Sequence, residues 1–205
     1  MPRKKYHHGD LKNALIKAGV EILSKEGIEG LSLRKVAGRA GVSHNAPYSH
    51  FPDKQSLIAA ISTEGFKHLY EELGVAIAEY PNDPKKQLQQ GAWAYVRFAM
   101  KNTDTFKIMF SGVLEKEKDY PAFVEISHKT FERVVTVVYA CQQAGLLNST
   151  APEMMAVTVW GQIHGIISLV LEGQISHTLL DHSDIHQIIL FALDQLLVTE
   201  IRKPN

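Results

Sequence analysis

Residues 31–57 read LSLRKVAGRAGVSHNAPYSHFPDKQSL, and this stretch decides the architecture. Ser32 offers an N-cap for a short helix over Leu33 to Ala40, with Val36, Ala37 and Ala40 facing inward. Gly41 and Val42 form a tight turn, because glycine accepts a chain reversal that a Cβ resists. Ser43 then caps a second short helix over His44 to Phe51, which Pro52 ends. Two short helices joined by a glycine-containing turn make a helix-turn-helix. The second helix presents its N-terminal residues to a major groove, and its free amides and dipole favour a nearby phosphate.

Working outward, Leu11, Leu15, Ala18 and Ile22 share one stripe of a helix from Asp10 to Lys25, with Gly27 as its stop. Asp53 caps a long helix running to about Tyr80. Pro81-Asn82-Asp83-Pro84 is the clearest break in the chain. Helices follow over Lys85 to Lys101, around Thr105 to Phe110, and over Pro121 to Ala144. A capping box, Thr150-Ala151-Pro152-Glu153, opens another that stops at Gly173. The last begins near Asp184 and carries Ile185, Ile188, Ile189, Ala192, Leu193, Leu196 and Leu197. No segment combines strand alternation with hairpin turns. The expected fold is all-α, about nine helices, with a head over residues 1–55 and a body over 56–205.

Composition bounds the function. The net charge is zero, but residues 1–60 hold ten Lys/Arg against five Asp/Glu, a net +5, and the remainder holds 12 against 17, a net −5. A basic head on an acidic body suits a head that meets phosphate, although a solvated face gives the same counts. The single cysteine, Cys141, excludes an intrachain disulfide and lies in an apolar stretch, as a buried thiol or a redox sensor. MPRKKYHHGD has charges but no apolar region behind them, so it is not read as a signal peptide. No apolar run is expected to approach the ~20 residues that span a bilayer. A soluble, cytoplasmic protein with no membrane partner is the expectation.

AGVSHNAPYSHFPDKQSL resembles the DNA-binding signature of the TetR family of transcriptional regulators, and the similarity extends over roughly Leu11 to Leu69. It implies a homodimer on a palindromic operator in double-stranded DNA, controlled by a small-molecule effector that binds the body. Tyr48 and Lys54 match residues that reach DNA phosphates, and His50 matches a histidine near them. His44, Asn45 and Ser49 take positions that face base edges; Asn45 suits a bidentate pair with adenine. Ser32 and Ser43 cap, contact phosphate, or both. Pro47 is the departure: it removes an early backbone bond of the recognition helix and distorts its first turn. Arg3, Lys4 and Lys5 form either a solvated tail or a basic arm against the DNA.

In the body, Trp160…His164-Gly165 resembles a Trp…His-Gly motif of one C-terminal subtype of the family. The resemblance implies an interior ligand cavity, for which Phe98, Phe106, Phe110, Phe123, Tyr139, Trp160 and His164 are the candidate lining. Tyr139 and His164 are its polar anchors. An aromatic stripe is also ordinary core, and His164 also reads as a buried, hydrogen-bonded histidine. No Lys or Arg falls between Val134 and Glu200, which points to a neutral, largely hydrophobic effector. Gly161 and Gly165 have the spacing of close helix crossing. With the apolar last helix they mark either a dimer seam, which includes Ile189, or packing within the chain.

His182 and His186, four apart and beside Asp181 and Asp184, straddle a helix start that Asp184 caps, so no metal is expected. His7 and His8 read as solvated. There is no phosphate-cradling glycine loop, nucleophile elbow or paired-carboxylate site, so neither a cofactor nor an enzyme is expected. The expected function is a sequence-specific regulator, a repressor released by its effector. The alternative is a DNA-binding structural protein that organises chromosomes without an inducer.

Overall fold

The computed structural model describes residues 8–175 and 184–198. Among them the regular structure is helical throughout: α1 (His8–Gly30), α2 (Leu33–Ala40), α3 (Lys54–Ala78), α4 (Pro84–Lys101), α5 (Thr103–Met109), α6 (Pro121–Gln143), α7 (Pro152–Leu171) and α8 (Ile185–Asp194). Two short 3₁₀ turns, Ala46–Ser49 and Glu117–Asp119, complete it. The all-α expectation holds. The ninth helix, expected over His44 to Phe51, is the turn Ala46–Ser49 instead.

The chain forms two compact units. One holds the chain up to Lys67 together with Asp104–Ser127; the other holds His68–Thr103 together with the chain from His128 onward. These units do not follow a division at 55/56, because Ile108 and the loop residues Val113 and Leu114 pack into the core of the head.

That core grows from the stripe read in the sequence. Leu15, Ala18 and Ile22 of α1 bury against Leu33 and Val36 of α2, Phe51, and Leu57, Ile58 and Ile61 of α3. Each fully buried Leu, Ile or Phe contributes about 1.5–3 kcal/mol relative to exposure. Gly27, at φ 67° and ψ −172°, leaves the helical range and stops the regular helix as expected; a short second stretch runs on to Gly30. Ser32 caps α2, accepting from the Lys35 amide. Gly41 closes α2 at φ 70°, and its amide N–H returns to the Ala37 and Gly38 carbonyls. A Cβ at Gly41 meets no neighbour, so Gly41→Ala isolates backbone strain. It should lower head stability by about 1–2 kcal/mol, read from the shift in the thermal midpoint. Asp53 caps α3 as expected, with the Ser56 amide donating to Oδ1 at 2.7 Å and the Asp53 amide donating back to Ser56 Oγ.

In the second unit α4, α7 and α8 pack against one another. Tyr95, Val96, Phe98 and Ala99 of α4 are buried, with Ala156, Val159, Ile163 and Ile167 of α7 and Ile189, Ala192 and Leu193 of α8. Asp184 caps α8 in a reciprocal box with Gln187. Two expectations need correction here. The Thr150 capping box does not form: Ala151 is the N-cap and makes no side-chain bond, because Pro152 sets the first helical residue and leaves Thr150 outside. Ile189 is wholly buried within its own chain and is therefore not a seam residue.

A third correction concerns α7. At 20 residues it is long and apolar enough, by length and composition, to cross a membrane. Its Gly, Thr, Gln and His residues disguise the run in the sequence. Cys141 is the buried thiol of the two readings: it donates to the Pro84 carbonyl at 3.2 Å, and burial pushes its pKa up to about 11. A thiol so held is not poised for oxidation.

Candidate nucleic-acid interface and the aromatic clusters

The recognition element is a single 3₁₀ turn with Asn45 at its N-cap and no side-chain cap bond. Pro47 is the physical reason. It has no N–H to return to the Ser43 carbonyl, so that oxygen accepts from Ala46 three residues on, at 2.9 Å. The Asn45 carbonyl then accepts from Tyr48 at 3.3 Å, and the Pro47 carbonyl from both His50 and Phe51 at 2.9 and 2.8 Å. Pro47 is buried, so the proline anchors the turn to the head rather than breaking it. The notion that Ser43 caps a two-turn helix is thereby corrected.

This turn leaves a contiguous polar edge outward. Ser43, His44, Asn45, Tyr48 and Ser49 are all exposed, Tyr48 by 58%. Ser49 Oγ donates back to the Ala46 carbonyl at 2.8 Å, which leaves its lone pairs outward. His50 is half-buried, and its buried Nε2 has no hydrogen-bond partner among the described residues. Lys54 Nζ donates to the Ile28 carbonyl at 2.6 Å, tying the start of α3 to the end of α1. Its ammonium retains two further donors.

The cations of the head are unequally engaged. Lys35 pairs with Glu26 and holds that carboxyl below its ordinary range, chiefly by hydrogen bonding. Arg39 pairs with Glu21 at 3.7 Å. Arg34, exposed in the first turn of α2, pairs with no acid among the described residues. Nothing in the spacing singles it out; the only signal is a basic residue two after the capping Ser32. Arg3, Lys4, Lys5 and His7 lie outside the described residues, as does the side chain of His8.

The candidate ligand residues fall into separate clusters. In the first unit Phe106 and Phe110 pack at a tilt with ring centroids 4.9 Å apart, and Phe66 meets Phe110 and Phe123 edge-on at 5.4 and 5.7 Å. Phe66 is a member that the sequence did not mark, since one phenylalanine on a long helix reads as core. In the second unit Phe98 is buried in the α4 core, while Trp160 meets Phe131 at 6.2 Å. Tyr139, on α6, is 53% exposed.

His164 belongs to a polar network. Trp160 Nε1 donates to the Tyr95 hydroxyl at 3.1 Å, and that hydroxyl lies 2.7 Å from His164 Nδ1. With its oxygen receiving the indole N–H, the phenol is best placed to give its own proton to a neutral imidazole. Burial pushes the Tyr95 phenol well above its ordinary value and holds His164 below its own. Tyr95 is a further residue the sequence did not mark. A depressed histidine resists protonation only in the folded state, so acid favours the unfolded chain. Stability should therefore fall as pH drops from about 7 toward 5. The His164→Gln variant should show a shallower dependence of its melting temperature over that range; an identical slope would contradict the neutral imidazole. His182 and Asp181 lie outside the described residues; His186 instead packs at a tilt against Trp93, with ring centroids 4.6 Å apart.

Comparison with known proteins fits this arrangement. Residues 15–61 match the family profile of bacterial regulatory proteins of the tetR family, and residues 88–193 match the tetracyclin repressor-like C-terminal domain. A protein of unknown function from Rhodococcus sp. RHA1 is 31% identical in sequence and has a TM-score of 0.79, covering 95% of this chain and 97% of its own. An uncharacterised HTH-type transcriptional regulator, YobS of Bacillus subtilis, is 24% identical over 111 residues, 54% of this chain and 57% of that regulator. The class A tetracycline repressor from transposon 1721 in Escherichia coli is 40% identical over 50 residues, 24% of this chain and 23% of its own. Thus the chain spans about half of the first of these curated relatives and less of the second.

The second of the two profile matches spans half the chain, and the chain belongs to the TetR family of transcriptional regulators. Its head is the family's DNA-binding helix-turn-helix.

Proposed function

We propose that the protein is a cytoplasmic repressor that binds a palindromic operator as a homodimer and leaves it when a small molecule binds the body. The functional division is a DNA-binding domain over residues 1–55 and a ligand-binding and dimerisation domain over 56–205. The observation that carries this reading is the outward polar edge of the Ala46–Ser49 turn. His44, Asn45 and Ser49 address base edges, and Tyr48, Lys54, His50 and the serines Ser32 and Ser43 hold the backbone. Arg34 joins the phosphate contacts.

The shorter turn changes the expected docking. A two-turn helix reads several base pairs along the groove, whereas one 3₁₀ turn brings mainly His44, Asn45 and Ser49 within reach. Specificity is then concentrated in a few base pairs per half-site. Asn45→Ala should relax preference at one base pair by about 1–3 kcal/mol, while Tyr48→Phe and Arg34→Ala weaken binding to every sequence alike. Competition binding with single-base operator variants measures both; an unchanged preference in Asn45→Ala would remove it from readout.

Pairing through α7 and α8 is supported by an uncovered face. Met154 is 71% exposed, Val157 52%, Leu169 48% and Phe191 66%. A Cβ added at Gly161 or Gly165 would meet nothing within 4 Å, so no helix among the described residues uses their close-approach surface. A second copy of α7 crossing there would bury it. The Trp160–Tyr95–His164 network supports the Trp…His-Gly subtype of the body.

A further inference from the structure

We propose that Arg133 anchors a carboxylate-binding site where α6 meets α3, so that the effector carries an acid group; this rests on the reading that the body binds a small molecule. Arg133 is half-buried, and its Nη1 donates to the Tyr70 carbonyl at 2.7 Å. Its Cζ lies 3.6 Å from the centroid of the Tyr70 ring, so the guanidinium is stacked as well as hydrogen-bonded. Gly74, one turn along α3, makes the seat possible. A Cβ there would collide with Nη1 and stand 3.0 Å from Cζ.

A guanidinium carries five donors in one plane. The Tyr70 carbonyl takes one, at the Nη1 corner. No acidic side chain among the described residues pairs with the rest; the adjacent Glu132 faces His128 instead, at 3.7 Å. The Nε–Nη2 edge, which forks a carboxylate through two parallel bonds, is the edge left over. A half-buried cation without a counter-charge carries a desolvation cost that a bound anion offsets. Stacking and the glycine notch fix the plane of the fork before any ligand arrives, which reduces the ordering cost of binding.

A tie between α6 and α3 needs only the bond to the Tyr70 carbonyl, which a lysine can make. The notch and the stacked ring orient a plane, and only a planar partner uses a plane. Arg133 also revises the effector's chemistry. It stands one residue before the cation-free interval Val134 to Glu200 that points, in the sequence, to a neutral effector.

The test is calorimetric titration of the DNA-free protein with benzoate and hexanoate, each beside its amide. The acids should bind in the millimolar range or tighter, and the amides roughly ten- to a hundredfold more weakly. Arg133→Gln and Arg133→Lys should erase the preference for the acid. Gly74→Ala should do so too, by unseating the guanidinium without removing it. If Arg133→Gln fails to fold, Arg133→Lys and Gly74→Ala decide the matter. Equal binding of acid and amide, no binding of either acid, or full acid binding by a folded Arg133→Lys protein overturns the site. Operator binding is measured on the same samples: a protein that holds an operator yet ignores the acids loses this site alone, whereas one that binds no DNA loses the regulator reading.

Discussion

Gly165→Glu is expected to leave a folded monomer whose operator affinity is at least about a hundredfold below that of the parent. Gly165 lies on the uncovered face of α7, and a Cβ there touches nothing among the described residues. The substitution is therefore silent within a protomer. Across a two-fold helix crossing, however, it sets two carboxylates against each other in an apolar seam, each costing several kcal/mol. A single head has too few contacts to hold DNA alone, so loss of the pair removes both half-sites together. Sedimentation velocity reads the mass and fluorescence anisotropy the affinity. Phe191→Glu should act the same way from α8, where Phe191 is 66% exposed. By contrast, Ile189→Glu should unfold the body, since Ile189 has no exposed surface. A soluble dimer carrying both Gly165→Glu and Phe191→Glu would put the interface elsewhere.

The second large effect belongs to the head. Phe51→Ala should cost about 3–5 kcal/mol, because the ring is 2% exposed and its removal leaves a cavity in the head core. Phe51 directly follows the recognition turn, and its amide bonds to the Pro47 carbonyl. Emptying its site frees the turn that presents Asn45 and Tyr48. Chemical denaturation followed by tyrosine fluorescence should show an early transition for the head, and operator binding should be lost at temperatures the parent tolerates. A variant as stable as the parent would mean that the head does not depend on this core.

The sequence made the helical architecture plain where two signals agreed. In α2 apolar periodicity coincides with caps, and in α1 and α2 Leu15, Ile22 and Val36 are buried as their spacing predicts. The ends of α3 and α8 are marked by Asp53 and Asp184, whose carboxylates satisfy free amides in the structure. Expectation failed where proline changed the hydrogen-bond ladder. Pro47 turned a helix into a 3₁₀ turn, and Pro152 moved the start of α7 past Thr150.

The candidate DNA contacts could be named from the sequence because the family signature is local and continuous. The roles of the body's aromatic residues could not, because a ring at helical spacing packs in a core as readily as it lines a site. Which rings met depended on the tertiary partners of each helix. Tyr95 joined His164 across 69 positions in sequence, and Arg133 met Tyr70 across 63. Pairings over such separations leave no trace in one sequence.

Selection of the wild-type protein's preferred sites from random duplex DNA tests the central claim most directly. A dimer carrying two identical heads predicts an enriched inverted repeat with half-site centres about 10–10.5 base pairs, or a multiple of that, apart. Its affinity should fall steeply as salt rises, because bound phosphates release counterions. Recovery of no common sequence, or of a single unrepeated site bound by one protein molecule, would contradict the account.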